Sequence, residues 1–121
     1  VSIEKWSETI LVVELQDDPA FTDDLNTLLD RAEENDSLAA VLNFSAVNYI
    51  NSSNIAKLLK LRKQLLIAKQ KMILCEISNN AWGIFLVTGL DKVFEFSDSV
   101  ATALASVQMA CESPPINKID D

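Results

Sequence analysis

The chain has 121 residues, 49% hydrophobic and 23% charged, with 18 acidic and 10 basic side chains, no histidine and a formal net charge of −8 at pH 7. That length predicts a single domain with a real core, and the missing histidine excludes Ser–His–Asp triads, Cys–His pairs and histidine-bearing metal sites. The negative balance argues against nucleic acid as the main partner, since displacing duplex counterions takes clustered Lys and Arg, and no apolar run approaches a membrane span.

Ile3 and Trp6 precede a break at Ser7-Glu8-Thr9, followed by the apolar run Ile10-Leu11-Val12-Val13. The run predicts a strand, with the residues before it pairing back as a hairpin. Asp18-Pro19 marks a helix start, with Asp as cap and Pro in the first position. Phe21, Leu25, Leu28, Leu29 and Ala32 then recur at helical spacing, and the pattern ends near Asn35. Residues 38–44 form an apolar run too short for a helix and read as a buried strand.

A polar turn leads into Asn51-Ser52-Ser53-Asn54. Asn51 is a preferred N-cap residue, which puts both serines in the first turn of a helix over 52–68. Ile55, Leu58, Leu59, Arg62, Leu65, Leu66 and Lys69 trace one face of it. Leu61 and Ile67 widen the stripe, which predicts packing against both a sheet and another helix. Residues 72–77 read as the next strand. Asn79 or Asn80 caps a third helix with Trp82, Phe85 and Leu86 inward, closed by Thr88-Gly89. Residues 93–96 read as a short strand, and Ser97 caps a last helix carrying Val100, Ala103, Leu104 and Val107. Ser113-Pro114-Pro115 breaks the chain, giving one domain over 1–112 and a disordered tail over 113–121. Strands alternating with helices make an α/β protein, with helices mainly on one face of the sheet.

The chemistry on offer is narrow. Gly83 and Gly89 are the only glycines, so neither a P-loop nor a GxGxxG cradle exists. Cys75 and Cys111, 36 positions apart, match no metal motif and read as buried or incidental thiols. Asp17-Asp18 and Asp23-Asp24 read as helix-start acids, which the helix dipole favours, and Trp6 and Trp82 as packing residues. No catalytic set, cofactor site or metal site emerges, so the chain does not read as an enzyme. With no export signal, the cytoplasm is the expected compartment.

Charge is unevenly placed. Half of the 18 acids lie between Glu14 and Asp36, whereas Lys57, Lys60, Arg62, Lys63, Lys69 and Lys71 make up six of the ten bases. A cationic helix face therefore lies beside the serine turn, as a recognition face or as a solvated face balancing an acidic neighbour. A serine in a first helical turn accommodates a phosphate, because backbone N–H groups point outward there and the dipole favours negative charge.

The stretch VLNFSAVNYINSSNIAKLL, residues 41–59, resembles the STAS domain signature of anti-sigma factor antagonists: an apolar strand, a turn, then Asp-Ser-Ser-Gly and an apolar helix. Residues 88–104, TGLDKVFEFSDSVATAL, resemble the same family's C-terminal stretch, and the likeness spans about residues 10–107. It implies a STAS-like mixed β-sheet of four to five strands with about four α-helices packed on it. It also implies a bacterial, non-enzymatic regulator of transcription whose partner is an anti-sigma factor serine kinase. Unphosphorylated antagonist binds that kinase, and phosphorylation releases it. By position the acceptor is Ser52, with Ser53 the neighbouring hydroxyl; Asn51, Ser53, Asn54, Lys57 and Lys60 become the partner-binding residues. Asn51 stands where the family has Asp, and Asn54 where it has Gly. Leu15-Gln16-Asp17-Asp18-Pro19 replaces the family's Gly-x-Leu-Asp turn.

Those differences favour an alternative, a constitutive STAS accessory subunit of a transport ATPase or sensory complex that is not phosphorylated. A small-molecule module ranks third, for want of a phosphate loop. Without any family, Asn51, Ser52 and Ser53 simply start a helix. Monomer and weak dimer are both compatible with the charge pattern.

Overall fold

In the computed structural model, which describes residues 3–33 and 39–112, the apolar runs become one five-stranded sheet. The elements are β1 (Ile3–Lys5), β2 (Ile10–Gln16), α1 (Ala20–Glu33), β3 (Ala39–Ala46), α2 (Ser52–Ile67), β4 (Met72–Cys75), α3 (Asn79–Thr88), a 3-10 turn (Leu90–Lys92), β5 (Glu95–Ser97) and α4 (Val100–Glu112). Strand order is β1-β2-β3-β4-β5, with β1 and β2 antiparallel and the remaining pairs parallel. The tail expected over 113–121 and Leu38 lie outside the described residues.

Three successive crossovers step across the sheet in one direction, and connections of one hand then deliver their helices to one face. Side-chain alternation follows from this. Leu11, Val13 and Leu15 of β2, Leu42 and Phe44 of β3, and Leu74 of β4 bury against α1, α2 and α3. Ile10, Val41, Ile73 and Cys75 point the other way, where Ala103 and Val107 of α4 cover them. Strands buried on both faces have no polar side, so they read as continuous apolar runs. A chain of edge-to-face rings fills the larger layer: Phe21–Phe44 at 5.9 Å between centroids, Phe44–Phe85 at 6.3 Å and Phe85–Phe94 at 5.9 Å. Such pairs add about 0.5–1.5 kcal/mol each beyond area burial.

Several local expectations move. The buried line of α2 is Asn54, Leu58, Leu61 and Leu65, while Leu59 is 37%, Leu66 54% and Ile67 69% exposed. A helix presents one line to a sheet, and residues 59 and 66 lie about 100° round from 58 and 65. Leu86 is likewise 50% exposed, Phe85 being the inward residue of α3. The last strand begins at Glu95 because the N–H groups of Val93 and Phe94 both donate to the Leu90 carbonyl, which withdraws them from the ladder. Ser78 caps α3, its Oγ accepting from the Ala81 N–H at 3.3 Å. Ser99, accepting from the Thr102 N–H at 3.2 Å, plays that part for α4; Ser97 is occupied in β5, opposite Cys75.

Candidate functional site

The parallel strands β2 to β5 end at one rim of the sheet, and the residues singled out in the sequence sit on it. Asn51 takes an extended backbone (φ −104°, ψ 175°) and begins α2 as its N-cap. Its Oδ1 accepts from the Asn54 N–H at 2.8 Å, and the Asn51 N–H donates to Asn54 Oδ1 at 3.1 Å. This reciprocal box satisfies two donors that the helix start leaves without partners.

Asn54 is only 2% exposed. Its Nδ2 donates to Asp18 Oδ2 at 3.1 Å, and Asn51 Nδ2 reaches the same oxygen at 3.3 Å. The other Asp18 oxygen accepts from the Thr22 N–H at 3.0 Å and the Thr22 hydroxyl at 2.7 Å. Asp17 holds Asn48 through two bonds of 2.9 Å, one to its backbone N–H and one to its side-chain amide. The β2–α1 turn thus clamps the β3–α2 loop at three asparagines. An aspartate at 51 or 54 would set a carboxylate against Asp18, whereas an amide offers the donor that the carboxylate needs. The Thr22 hydroxyl first, then the Asn54 amide, hold the Asp18 carboxyl below its ordinary value of 3.8. Asn48 does the same for Asp17.

Ser52 and Ser53 are exposed, and their hydroxyls have no hydrogen-bond partner among the described residues. Their backbone N–H groups precede the first intrahelical bond, from Ile55 N–H to the Asn51 carbonyl at 3.1 Å. Donors are therefore available where an anion on Ser52 would sit. Of the other candidates, Asn51 and Lys60 are exposed, and Lys60 shares a helix face with Ser53 two turns away. Asn54 faces inward and presents no side chain to a partner. Lys57 is half-buried and donates to Asn26 Oδ1 on α1 at 3.1 Å, so its charge is directed across the helix pair.

Sequence reasoning missed Asp17 and Asp18 as part of this site, having assigned both to the start of α1. Asn48, Asn51 and Asn54 recur every third residue after a strand adjacent to β2, and that spacing was the available signal. It also passed over Tyr49, 61% exposed beside the serine turn, an aromatic of the type enriched in protein interfaces. Among the described residues no three His, Cys, Asp or Glu side chains gather as a metal site, and no helix is long and apolar enough to cross a membrane. Burial raises the Cys75 thiol to about 11, with Glu76 adding to the shift, so it stays protonated and unreactive at neutral pH.

The STAS domain family model matches residues 6–103. No protein of curated function matches the chain. Among solved structures, the Bacillus cell fate determinant SpoIIAA in its phosphorylated form is 18% identical with a TM-score of 0.69, covering 87% of this chain and 96% of that one. RsbS from Moorella thermoacetica is 16% identical with a TM-score of 0.72, covering 93% and 100%. A sulfate transporter family protein from Wolinella succinogenes is 15% identical with a TM-score of 0.75, covering 91% and 93%. At these identities the likeness is one of fold, and it joins regulators with a transporter relative. The family model spans most of the sequence, and the chain belongs to the STAS domain family.

Proposed function

We propose that this chain is a non-enzymatic regulatory domain of the anti-sigma factor antagonist type, which binds a serine-kinase anti-sigma factor and is switched off by phosphorylation at Ser52. The observation that carries the reading is the Ser52 hydroxyl, exposed in the first turn of α2 and, like the N–H groups beside it, without a partner among the described residues. Phosphorylation adds about −1.5 to −2 charges. The fold tolerates that charge because Ser52 is exposed and α2 keeps its cap through Asn51 and Asn54. A partner packed on the same turn meets new bulk and charge beside Asp18, and releases.

The test is direct. Incubation with a lysate of the source cells and ATP adds one phosphate by intact mass, mapped to Ser52. A Ser52→Ala variant labelled as well as wild type overturns the assignment. Ser52→Asp keeps the wild-type circular dichroism spectrum and fails to retain the kinase in a pull-down; equal retention sinks the switch.

A second reading, constitutive docking without phosphorylation, draws on Asn51 and Asn54, whose amides are committed to Asp18. That arrangement makes the turn a rigid surface whether or not a kinase acts on it. Recovery of transporter ATPase subunits, with no phosphate on Ser52, favours this reading.

A further inference from the structure

A second feature of the same rim lies away from the serine turn. Between the ends of β4 and β5 opens a cleft of about 410 Å³, whose lining includes Glu76, Asn79, Trp82, Phe96, Ser97 and Asp98. Ligand clefts span about 300–1,000 Å³, and the carboxyl ends of parallel strands are where open α/β sheets bind them. Trp82 and Phe96 meet edge to face, 4.9 Å between centroids and 87° between planes, giving the cleft an aromatic wall.

Two carboxylates line this space, and among the described residues no Lys or Arg does. Glu76 has a left-handed backbone (φ 59°), a conformation non-glycine residues adopt at a cost. One of its oxygens accepts from the Val100 N–H at 3.3 Å, at the start of α4. That bond fixes the carboxylate at the cleft; its other oxygen has no partner among the described residues. Asp98 is exposed, and neither acid has an ion pair among the described residues.

Like charges facing one space favour a cation between them, and aromatic faces attract cations through their quadrupole. A bare divalent metal fits poorly, because no three His, Cys, Asp or Glu side chains gather here among the described residues and aromatic walls provide no ligand. A planar, weakly hydrated guanidinium uses both features at once, stacking on rings and pairing with carboxylates through a fork of N–H donors. The chain's net charge of −8 also draws basic partners. We infer that the Glu76–Trp82–Phe96–Asp98 cleft is a guanidinium site, which takes an arginine side chain of a basic partner polypeptide.

Trp82 reports on its own site once the other tryptophan is removed. In a Trp6→Phe protein, titration with the peptide acetyl-Gly-Arg-Gly-amide gives a saturable change in Trp82 emission below about 10 mM, the range of a single-side-chain contact. The citrulline peptide, the same shape without the charge, binds at least about tenfold more weakly. Asp98→Asn and Glu76→Gln each weaken the arginine peptide by about tenfold. Gln at 76 keeps an acceptor for the Val100 N–H, and unchanged circular dichroism verifies that both variants fold. Ser52→Ala binds the peptide as wild type does, which separates this site from the phosphorylation reading. An absent response, equal binding of the citrulline peptide, tighter binding of acetyl-Gly-Lys-Gly-amide, or the same saturable change with Mg²⁺ alone overturns the assignment.

Discussion

At Asn54 a single amide serves both its own helix and a distant turn. Its oxygen accepts from the Asn51 N–H, its nitrogen donates to Asp18, and its backbone N–H is capped in return by Asn51. Replacing it with alanine empties the buried site, removes the acceptor of the Asn51 N–H and takes away one of the two amide donors to Asp18 Oδ2. Losing part of a cap costs up to about 2 kcal/mol, and each hydrogen bond lost about 0.5–1.5 kcal/mol. Asn54→Ala is therefore expected to lower unfolding free energy by about 1–3 kcal/mol in urea denaturation, with the m-value unchanged. A loss below about 0.5 kcal/mol, the scatter of ordinary surface changes, rejects this role. Asn51 was legible as the cap because short polar side chains favour that position. The inward turn of Asn54 was not, because hydrophobic periodicity counts an asparagine as solvent-facing. Its acceptor is also contributed from 36 positions away.

Among the elements, those whose signals are local came through best. β2, β3 and β4 follow apolar runs buried on both sides, and α2 begins at the cap its sequence announces. Where two neighbouring residues could do one job, choice of residue depended on the third dimension. Ser78 rather than Asn79 starts α3 because its hydroxyl also donates to the Val47 carbonyl at 3.2 Å, tying two rim loops together. The leucine stripe of α2 is narrower than its sequence suggests, since the outer leucines have helical spacing yet stay partly in solvent, Leu59 at 37% and Leu66 at 54%. The end of α3 turns on the backbone of Gly89, with the Thr88 hydroxyl donating to the Ile84 carbonyl at 2.8 Å. Gly89 has φ 76°, and a Cβ there meets nothing within 4 Å. Gly89→Ala is accordingly expected to cost about 1–2 kcal/mol through the left-handed conformation and not through a clash. Gly89→Asn is expected to cost less, since Asn tolerates that region. Thermal melts rank the three proteins, and an alanine variant as stable as wild type contradicts the account.

For the whole molecule, the sheet is a two-sided partition, with three helices on one face and α4 on the other. The rim where its parallel strands end carries both the serine turn and the acidic aromatic cleft. The fold class was readable because alternating strands and helices leave few topologies. The rim's composition was not, as it gathers loops that are remote in sequence. Its pH response follows from two carboxyls. Asp17 and Asp18 have folded values below 3.8, so their bonds contribute stability above that pH and lose it as pH falls through the folded values. Urea denaturation between about pH 6 and pH 2 is expected to show a steeper acid decline for wild type than for an Asp17→Asn, Asp18→Asn double variant. Parallel curves count against the clamp.

The clamp has one more consequence. In the family pattern the acid beside the serine is its own chain neighbour; here a carboxylate is held against Asn51 by Asp18, 33 positions earlier. The surface around Ser52 is thus discontinuous in sequence, assembled by folding and absent from any linear fragment that carries the serine. A binding partner that reads this charge recognises a tertiary object, and distinguishes the native protein from its own degradation products.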